Sequence, residues 1–214
     1  MRLGIFDSGI GGEAVAATLQ ITFPQAEILT VNDHENVPYG SKTRNQVLHL
    51  TETAIQPLLQ ADCDIIILAC NTATMLAIEP LRARYPRQKF IGIEPMVKPA
   101  ALLTKSNIIA VCATPATLAS NRYQELKQQF TSGLTVLEPD CSEWAYMIQN
   151  NQVNHSKIEH TINSICDQGA DVVVLGCTHY HWIKDLIVEV TRGRAKIIEP
   201  SEAIGRRVEQ LLNQ

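Results

Sequence analysis

Two stretches of the sequence follow one plan. At 64–74, DIIILACNTAT leads from an acidic residue through four apolar, mostly β-branched residues to Cys70, then Asn71, Thr72 and a helix-like run. At 171–180, DVVVLGCTHY does the same and delivers Cys177, Thr178 and His179, half of the 214-residue chain further on. A short run that is apolar at every position suits a strand buried on both faces, as in parallel sheets covered by helices. The repeat therefore points to an α/β architecture built twice.

The rest of the chain keeps that rhythm. Strand-like runs at 2–6, 27–31, 64–69, 89–93, 107–112, 134–138, 171–175 and 195–199 alternate with helical patterns near 12–20, 43–60, 74–84, 115–130, 142–150, 156–168, 180–191 and 201–213. Pro115 suits the first turn of its helix, whereas Pro57 predicts a kink or an early end. Asp33 and Asp140 repeat at the same offset as the two cysteines, and Glu94-Pro95 and Glu199-Pro200 at nearly that offset. The expected fold is two pseudo-symmetric α/β domains with mainly parallel sheets, residues 1–95 and 96–199. Ligands of such sheets bind beyond the carboxyl ends of the strands. Asp7, Asp33, Cys70, Thr114, Asp140 and Cys177 all fall there, so the active site is expected in the cleft between the domains.

Composition removes several function classes. The formal charge is −4 with no long basic run, which gives no reason to expect nucleic acid. No apolar run approaches the ~20 residues of a membrane span, and MRLGIFDSG carries no cleavable signal pattern, so a cytoplasmic protein is expected. The six cysteines form no CxxC pair or zinc-ribbon spacing, and Cys63, Cys112 and Cys166 read as buried, reduced thiols.

Five loops carry candidate chemistry. DSGIGG at 7–12 offers Asp7, Ser8 and three glycines ahead of a helix; it suits a small anion, and a tight structural turn explains it equally well. NDHENVPYGSKT at 32–43 ends in a turn that could aim Tyr39 and the Gly40 N–H into a cleft or lie on the surface. Cys70 opens a helix, where unpaired N–H groups favour a thiolate, and Asn71 and Thr72 stand ready beside it. ATPAT at 113–117 places Thr114 and Thr117 on one face of a starting helix, with helix capping as the plainer role for Thr114. GCTHY adds His179, which can exchange a proton near neutral pH. Cys and His also bind zinc, but ligands come in threes or fours and the supply nearby is thin, so no metal is expected.

A thiol on each side of a small carboxylate suits one reaction in particular. Inverting a hydrogen-bearing stereocentre removes a proton from one face and returns another to the opposite face. Two opposed groups can share that work, each acid in one direction and base in the other. A thiol, with an ordinary pKa of about 8.5, can be tuned toward neutrality for it. Asp7 and His179 then become partners for Cys70 and Cys177.

The motifs FDSGIGG, PYG, ACNTAT and GCTHY, with GIEPxVKPA at 92–100, resemble those of bacterial glutamate racemases in the aspartate/glutamate racemase superfamily. The resemblance runs from about residue 3 to about residue 212. It implies cofactor-independent interconversion of L- and D-glutamate for peptidoglycan, with Cys70 and Cys177 as the acid/base thiols. Asp7 would assist Cys70, and His179 would assist Cys177. Asp7, Ser8, Tyr39, Gly40, Asn71, Thr72, Thr178 and His179 match substrate-contact positions, with Thr114 and Thr117 close by. A homodimer and a C-terminal helix, about 200–214, that returns to the first domain are also implied. The sequence departs from the pattern in a compressed 132–170 region, in Gln149 where a glutamate is usual, in Glu199-Pro200 for Asp-Ser, and in GCTHYH for GCTHYP. A racemase for aspartate or another amino acid, a weakly active or non-catalytic binding homologue, and a redox dithiol protein are the alternatives.

Overall fold

The computed structural model describes residues 1–212; residues 213 and 214, the tip of the expected last helix, lie outside the described residues. The elements run β1 (Arg2–Asp7), α1 (Gly11–Thr22), β2 (Glu27–Asn32), α2 (Arg44–Ala54), α3 (Gln56–Gln60), β3 (Ile65–Leu68), α4 (Asn71–Arg84) and β4 (Lys89–Gly92). They continue with α5 (Val97–Leu103), β5 (Ile108–Ala113), α6 (Pro115–Leu118), α7 (Asn121–Phe130), β6 (Thr135–Leu137), α8 (Trp144–Gln149), α9 (His155–Asp167) and β7 (Val172–Gly176). A 3-10 helix (Thr178–Ile183), α10 (Lys184–Thr191), β8 (Lys196–Ile198) and α11 (Ser201–Leu212) complete the order.

The eight strands form two four-stranded sheets, ordered β2-β1-β3-β4 and β6-β5-β7-β8, and every pairing is parallel. The two orders are the same permutation, so the repeat read in the sequence is a repeat of topology. The chain divides into two compact units. Unit 1 holds residues 1–94 and the segment from Pro200 onward, and unit 2 holds residues 95–199.

Alternation along the strands explains why the apolar runs are continuous. In the first sheet Leu3, Ile5, Ile65 and Ile67 face Val15 and Leu19 of α1 and Ile204 and Val208 of α11. Their neighbours Phe6, Ile66 and Leu68 face the opposite way, against Val47, Leu58, Ala73, Ala77 and Leu81. Each such aliphatic side chain contributes about 1.5–3 kcal/mol on burial. In β1 and β3 both faces are covered, so between Arg2 and Asp7 and along Ile65–Leu68 no position is left for a polar residue.

The order of each sheet reverses at its first strand, which sends the following chain to either side. In unit 1 this brings the ends of β1 and β3 together, with Phe6 opposite Leu68. In unit 2 it brings together the ends of β5 and β7, with Ala113 opposite Gly176. Such a switch point leaves a crevice that helices do not fill. Two glycines permit the close approach there. A Cβ on Gly12 would lie 2.8 Å from Asp7 Cβ, and one on Gly176 would lie 2.9 Å from Ala113 Cβ.

The helices differ from the sequence expectation in five places. The run 43–60 is two helices broken at Ile55, two residues before the proline, which sits in the first turn of α3. The run 115–130 is divided as well, because Ser120 caps a second helix by accepting from the Tyr123 N–H. α5 was not expected, and α4 begins at Asn71 rather than near 74. The 180–191 helix starts earlier, as a 3-10 turn from Thr178, and becomes α-helical at Lys184. Among the described residues, no helix is long and apolar enough to cross a membrane.

Candidate active site

In unit 1 the thiol is enclosed by the ends of two neighbouring strands. Cys70 caps α4, and its Sγ accepts from the Ala73 N–H at 3.4 Å and from the Ser8 hydroxyl at 3.2 Å. Asp7 is fully buried at the end of β1, and its Oδ1 accepts from the Gly9 N–H at 2.7 Å. Thr74, which the sequence reading passed over, fixes α4 to the sheet by donating to the Leu68 carbonyl and accepting from the Ile93 N–H, both at 3.1 Å. Its signal was the repeated threonine in NTAT.

Two opposing influences act on the Cys70 thiol. Burial, and then the charge of Asp7, push it up to about 11; the Ser8 hydroxyl and the N–H groups of Ala73 and Thr72 pull the other way. The helix N-terminus does not tune this thiol toward neutrality in the free protein, because desolvation outweighs the hydrogen bonds. Cys70 is held as a protonated thiol.

Asn71 is the most informative neighbour. Both atoms of its side-chain amide are buried and have no hydrogen-bond partner in the protein. A buried amide without partners costs about 1–3 kcal/mol. A polar ligand beside Cys70 would remove that cost. Ser8 and Thr72 are buried at the same place.

Tyr39 is used differently from the expectation of a phenol aimed into a cleft. Its ring is buried near Phe6, with centroids 6.2 Å apart, and its hydroxyl donates to Asp33 Oδ2 at 2.7 Å. The other Asp33 oxygen accepts from Asn36 at 2.8 Å. Burial, reinforced by the Asp33 carboxylate, lifts the phenol well above its ordinary pKa. Tyr39 therefore locks the 34–41 loop, and Gly40 follows it in the 3-10 turn Tyr39–Ser41. The counterpart of Asp33 does something else. Asp140 accepts from the Ser142 N–H at 3.0 Å, and the Ser142 side chain first, then this N–H, hold its carboxyl below the usual range.

In unit 2, Thr114 caps α6 by accepting from the Thr117 N–H at 3.3 Å, and its hydroxyl donates to Thr117 Oγ1 at 3.0 Å. Helix capping is thus a real role of Thr114. On the neighbouring strand, β7 delivers Cys177, the partly exposed cysteine of the six. His179 Nδ1 lies 3.9 Å from Cys177 Sγ, and Nε2 lies 2.8 Å from Gln149 Oε1. In the tautomer with the ring proton on Nε2, the Gln149 amide oxygen accepts it and Nδ1 presents its lone pair to the thiol. Thr178 lies between them in sequence and is half-buried. Tyr180 donates to the Cys141 carbonyl at 3.1 Å and packs edge-on against Trp144.

The structure gathers Asp7, Ser8, Cys70, Asn71 and Thr72 in unit 1. In unit 2 it gathers Cys177, Thr178, His179 and Gln149, with Thr114 and Thr117 at the adjoining strand end. Each group offers a thiol, a titratable or charged partner and small hydrogen-bonding residues. Among the described residues, no group of three or more His, Cys, Asp or Glu side chains could hold a metal ion.

Comparison with known proteins identifies relatives of the chain. Residues 13–204 match the Asp/Glu/hydantoin racemase family. The glutamate racemase of Pseudomonas paraeruginosa is 34% identical, with 99% of this chain and 81% of that protein covered. That of a Sulfurovum species is 36% identical, with 97% and 81% covered. The crystal structure of Francisella tularensis glutamate racemase in complex with D-glutamate superposes with a TM-score of 0.83 at 28% identity, covering 99% of this chain and 80% of that one. With cysteine-bearing switch points in two like-ordered sheets and relatives matched along nearly its whole length, the chain belongs to the Asp/Glu/hydantoin racemase family of isomerases.

Proposed function

We propose that the protein interconverts L- and D-glutamate by moving protons at Cα between two thiols, Cys70 and Cys177. The observation that carries this reading is the equivalence of the two cysteines. Each follows the third strand of its own sheet, at the switch point, and each has a polar side chain at its sulfur, the Ser8 hydroxyl at Cys70 and the His179 ring at Cys177.

In the forward direction one cysteine, as thiolate, takes the Cα proton, and the other, as thiol, gives its proton to the opposite face. The reverse direction exchanges their roles, and each cycle leaves the protonation of the pair swapped. At Cys177 the Nδ1 lone pair of His179 accepts the thiol proton, and Gln149 holds the ring in that tautomer. At Cys70 the Ser8 hydroxyl and two backbone N–H groups stabilise the thiolate, opposed by burial and Asp7. A substrate ammonium brought close to Asp7 would offset its charge and ease ionisation of Cys70. Asn71, Ser8, Thr72 and Thr178, with the backbone at Tyr39-Gly40, would receive the polar groups of the substrate, and Thr114 and Thr117 would border them.

Glutamate is favoured by the relatives, whose names specify it. Supply of D-glutamate for peptidoglycan, a bacterial cytoplasmic setting, a homodimer and independence of any cofactor belong to the same reading. The test is incubation with single enantiomers of glutamate and of aspartate in deuterium oxide, without added cofactor. Inversion of both glutamate enantiomers with deuterium at Cα supports the proposal. Inversion of aspartate alone identifies a different substrate, and no exchange at all points to a binding protein.

A further inference from the structure

Three successive side chains of the 3-10 helix are tied to three different parts of unit 2. His179 meets Gln149 at the end of α8, Tyr180 donates to the Cys141 carbonyl, and His181 Nδ1 lies 3.1 Å from Glu199 Oε2. At three residues per turn, consecutive side chains point about 120° apart. Three anchors so spaced fix the helix about its own axis.

Glu199 is the centre of the third anchor. Its other oxygen accepts from Lys184 Nζ at 2.7 Å, and its side chain is 15% exposed. Lys184 is the first residue of α10, so the carboxylate grips both ends of the junction between the 3-10 and α-helical turns. The ring of Trp182 stands edge-on to His181 with centroids 5.9 Å apart. The ladder between β7 and β8 closes at Val174 and Ile198, so Glu199 takes no part in the sheet. A carboxylate mostly removed from water, outside the ladder and bound both to His181 of the helix that bears His179 and to Lys184 just beyond its end, acts on that helix.

We propose that Glu199 is a positioning residue. Its clasp on His181 and Lys184 sets the rotation of the 3-10 helix and so keeps His179 Nδ1 at the Cys177 thiol. The proposal rests on the reading that Cys177 exchanges protons with the substrate. The contact it protects has little tolerance: at 3.9 Å the sulfur and nitrogen are near the limit of a hydrogen bond. Catalytic groups need placement within about 0.5 Å, and a slip of about 1 Å can cost two orders of magnitude.

The test compares Glu199→Gln, His181→Ala and the double variant with the parent. It measures kcat and KM for both glutamate enantiomers and the pH profile of iodoacetamide alkylation at Cys177, followed by mass spectrometry. The expected result for Glu199→Gln is a kcat about tenfold lower, a KM within about twofold, and an alkylation midpoint moved to higher pH. The double variant should be little worse than Glu199→Gln, because both changes open one clasp. Lys184→Met provides a second opening of the clasp if Glu199→Gln does not fold. An unchanged kcat and alkylation midpoint, even with a lowered Tm, overturns the proposal and leaves the two-thiol reading intact so long as Cys177→Ser is inactive. A Cys177→Ser variant with full turnover overturns both.

Discussion

Replacing Asn71 by leucine should make the protein more stable and a poorer enzyme. The side chains are similar in volume, and both polar atoms of the Asn71 amide are buried without a partner. That arrangement costs the free protein about 1–3 kcal/mol, which an apolar replacement removes. For a chain of this length each kcal/mol raises Tm by about 2–4 °C, so Asn71→Leu should melt about 2–12 °C higher. The same amide is proposed to meet the charged groups of the substrate, where a hydrogen bond contributes about 1.5–3 kcal/mol. Its loss should lower kcat/KM about 10–150-fold. Differential scanning calorimetry and polarimetry on one preparation read both effects. A variant that melts lower than the parent would show that the amide is satisfied in the free protein. An unchanged kcat/KM would remove Asn71 from the site.

Cys70→Ser and Cys177→Ser should each lower racemisation by at least about 100-fold, measured with either enantiomer, since each removes a positioned acid/base. Gln149→Glu places a carboxylate against His179 Nε2, which favours the imidazolium and through it the Cys177 thiolate; the midpoint of Cys177 alkylation should fall by about one pH unit. The linkage sign follows from that change. A histidine with a raised folded pKa adds stability that is present below its unfolded value of about 6.5 and lost as pH rises through the folded value, so the Tm difference from the parent should be more favourable at pH 6 than at pH 9. Ile204→Ala, which empties a buried contact between α11 and the face of the first sheet, should cost about 2–5 kcal/mol in urea unfolding.

The central strands β3 and β7 were legible because each is a short, mostly β-branched run, and burial on both faces leaves that pattern no alternative. The same segments gave the cysteines their places, since a residue just past a parallel strand lies at its carboxyl end. Helix breaks were less legible. The division at Ser120 depends on one side-chain cap within a continuous helical pattern, and α5 was concealed by Pro99, which its first turn tolerates because N–H groups there have no helical partner. The electrostatics of Cys70 needed the structure. Sequence shows a helix N-terminus, but only packing shows that burial and Asp7 outweigh it. Tyr39 and Gln149 share that dependence on long-range placement: Asp33 takes the phenol, and His179, thirty residues along, meets the amide.

The two-thiol claim is tested most directly by the early label distribution in deuterium oxide. Starting from one enantiomer of protiated glutamate, product and remaining substrate are separated on a chiral column at low conversion and weighed by mass spectrometry. With different thiols taking and giving the proton, the product should carry one deuterium at Cα while the remaining substrate stays protiated. Deuterium entering the substrate as fast as the product, or product that keeps the original proton, would show that a single group serves both faces.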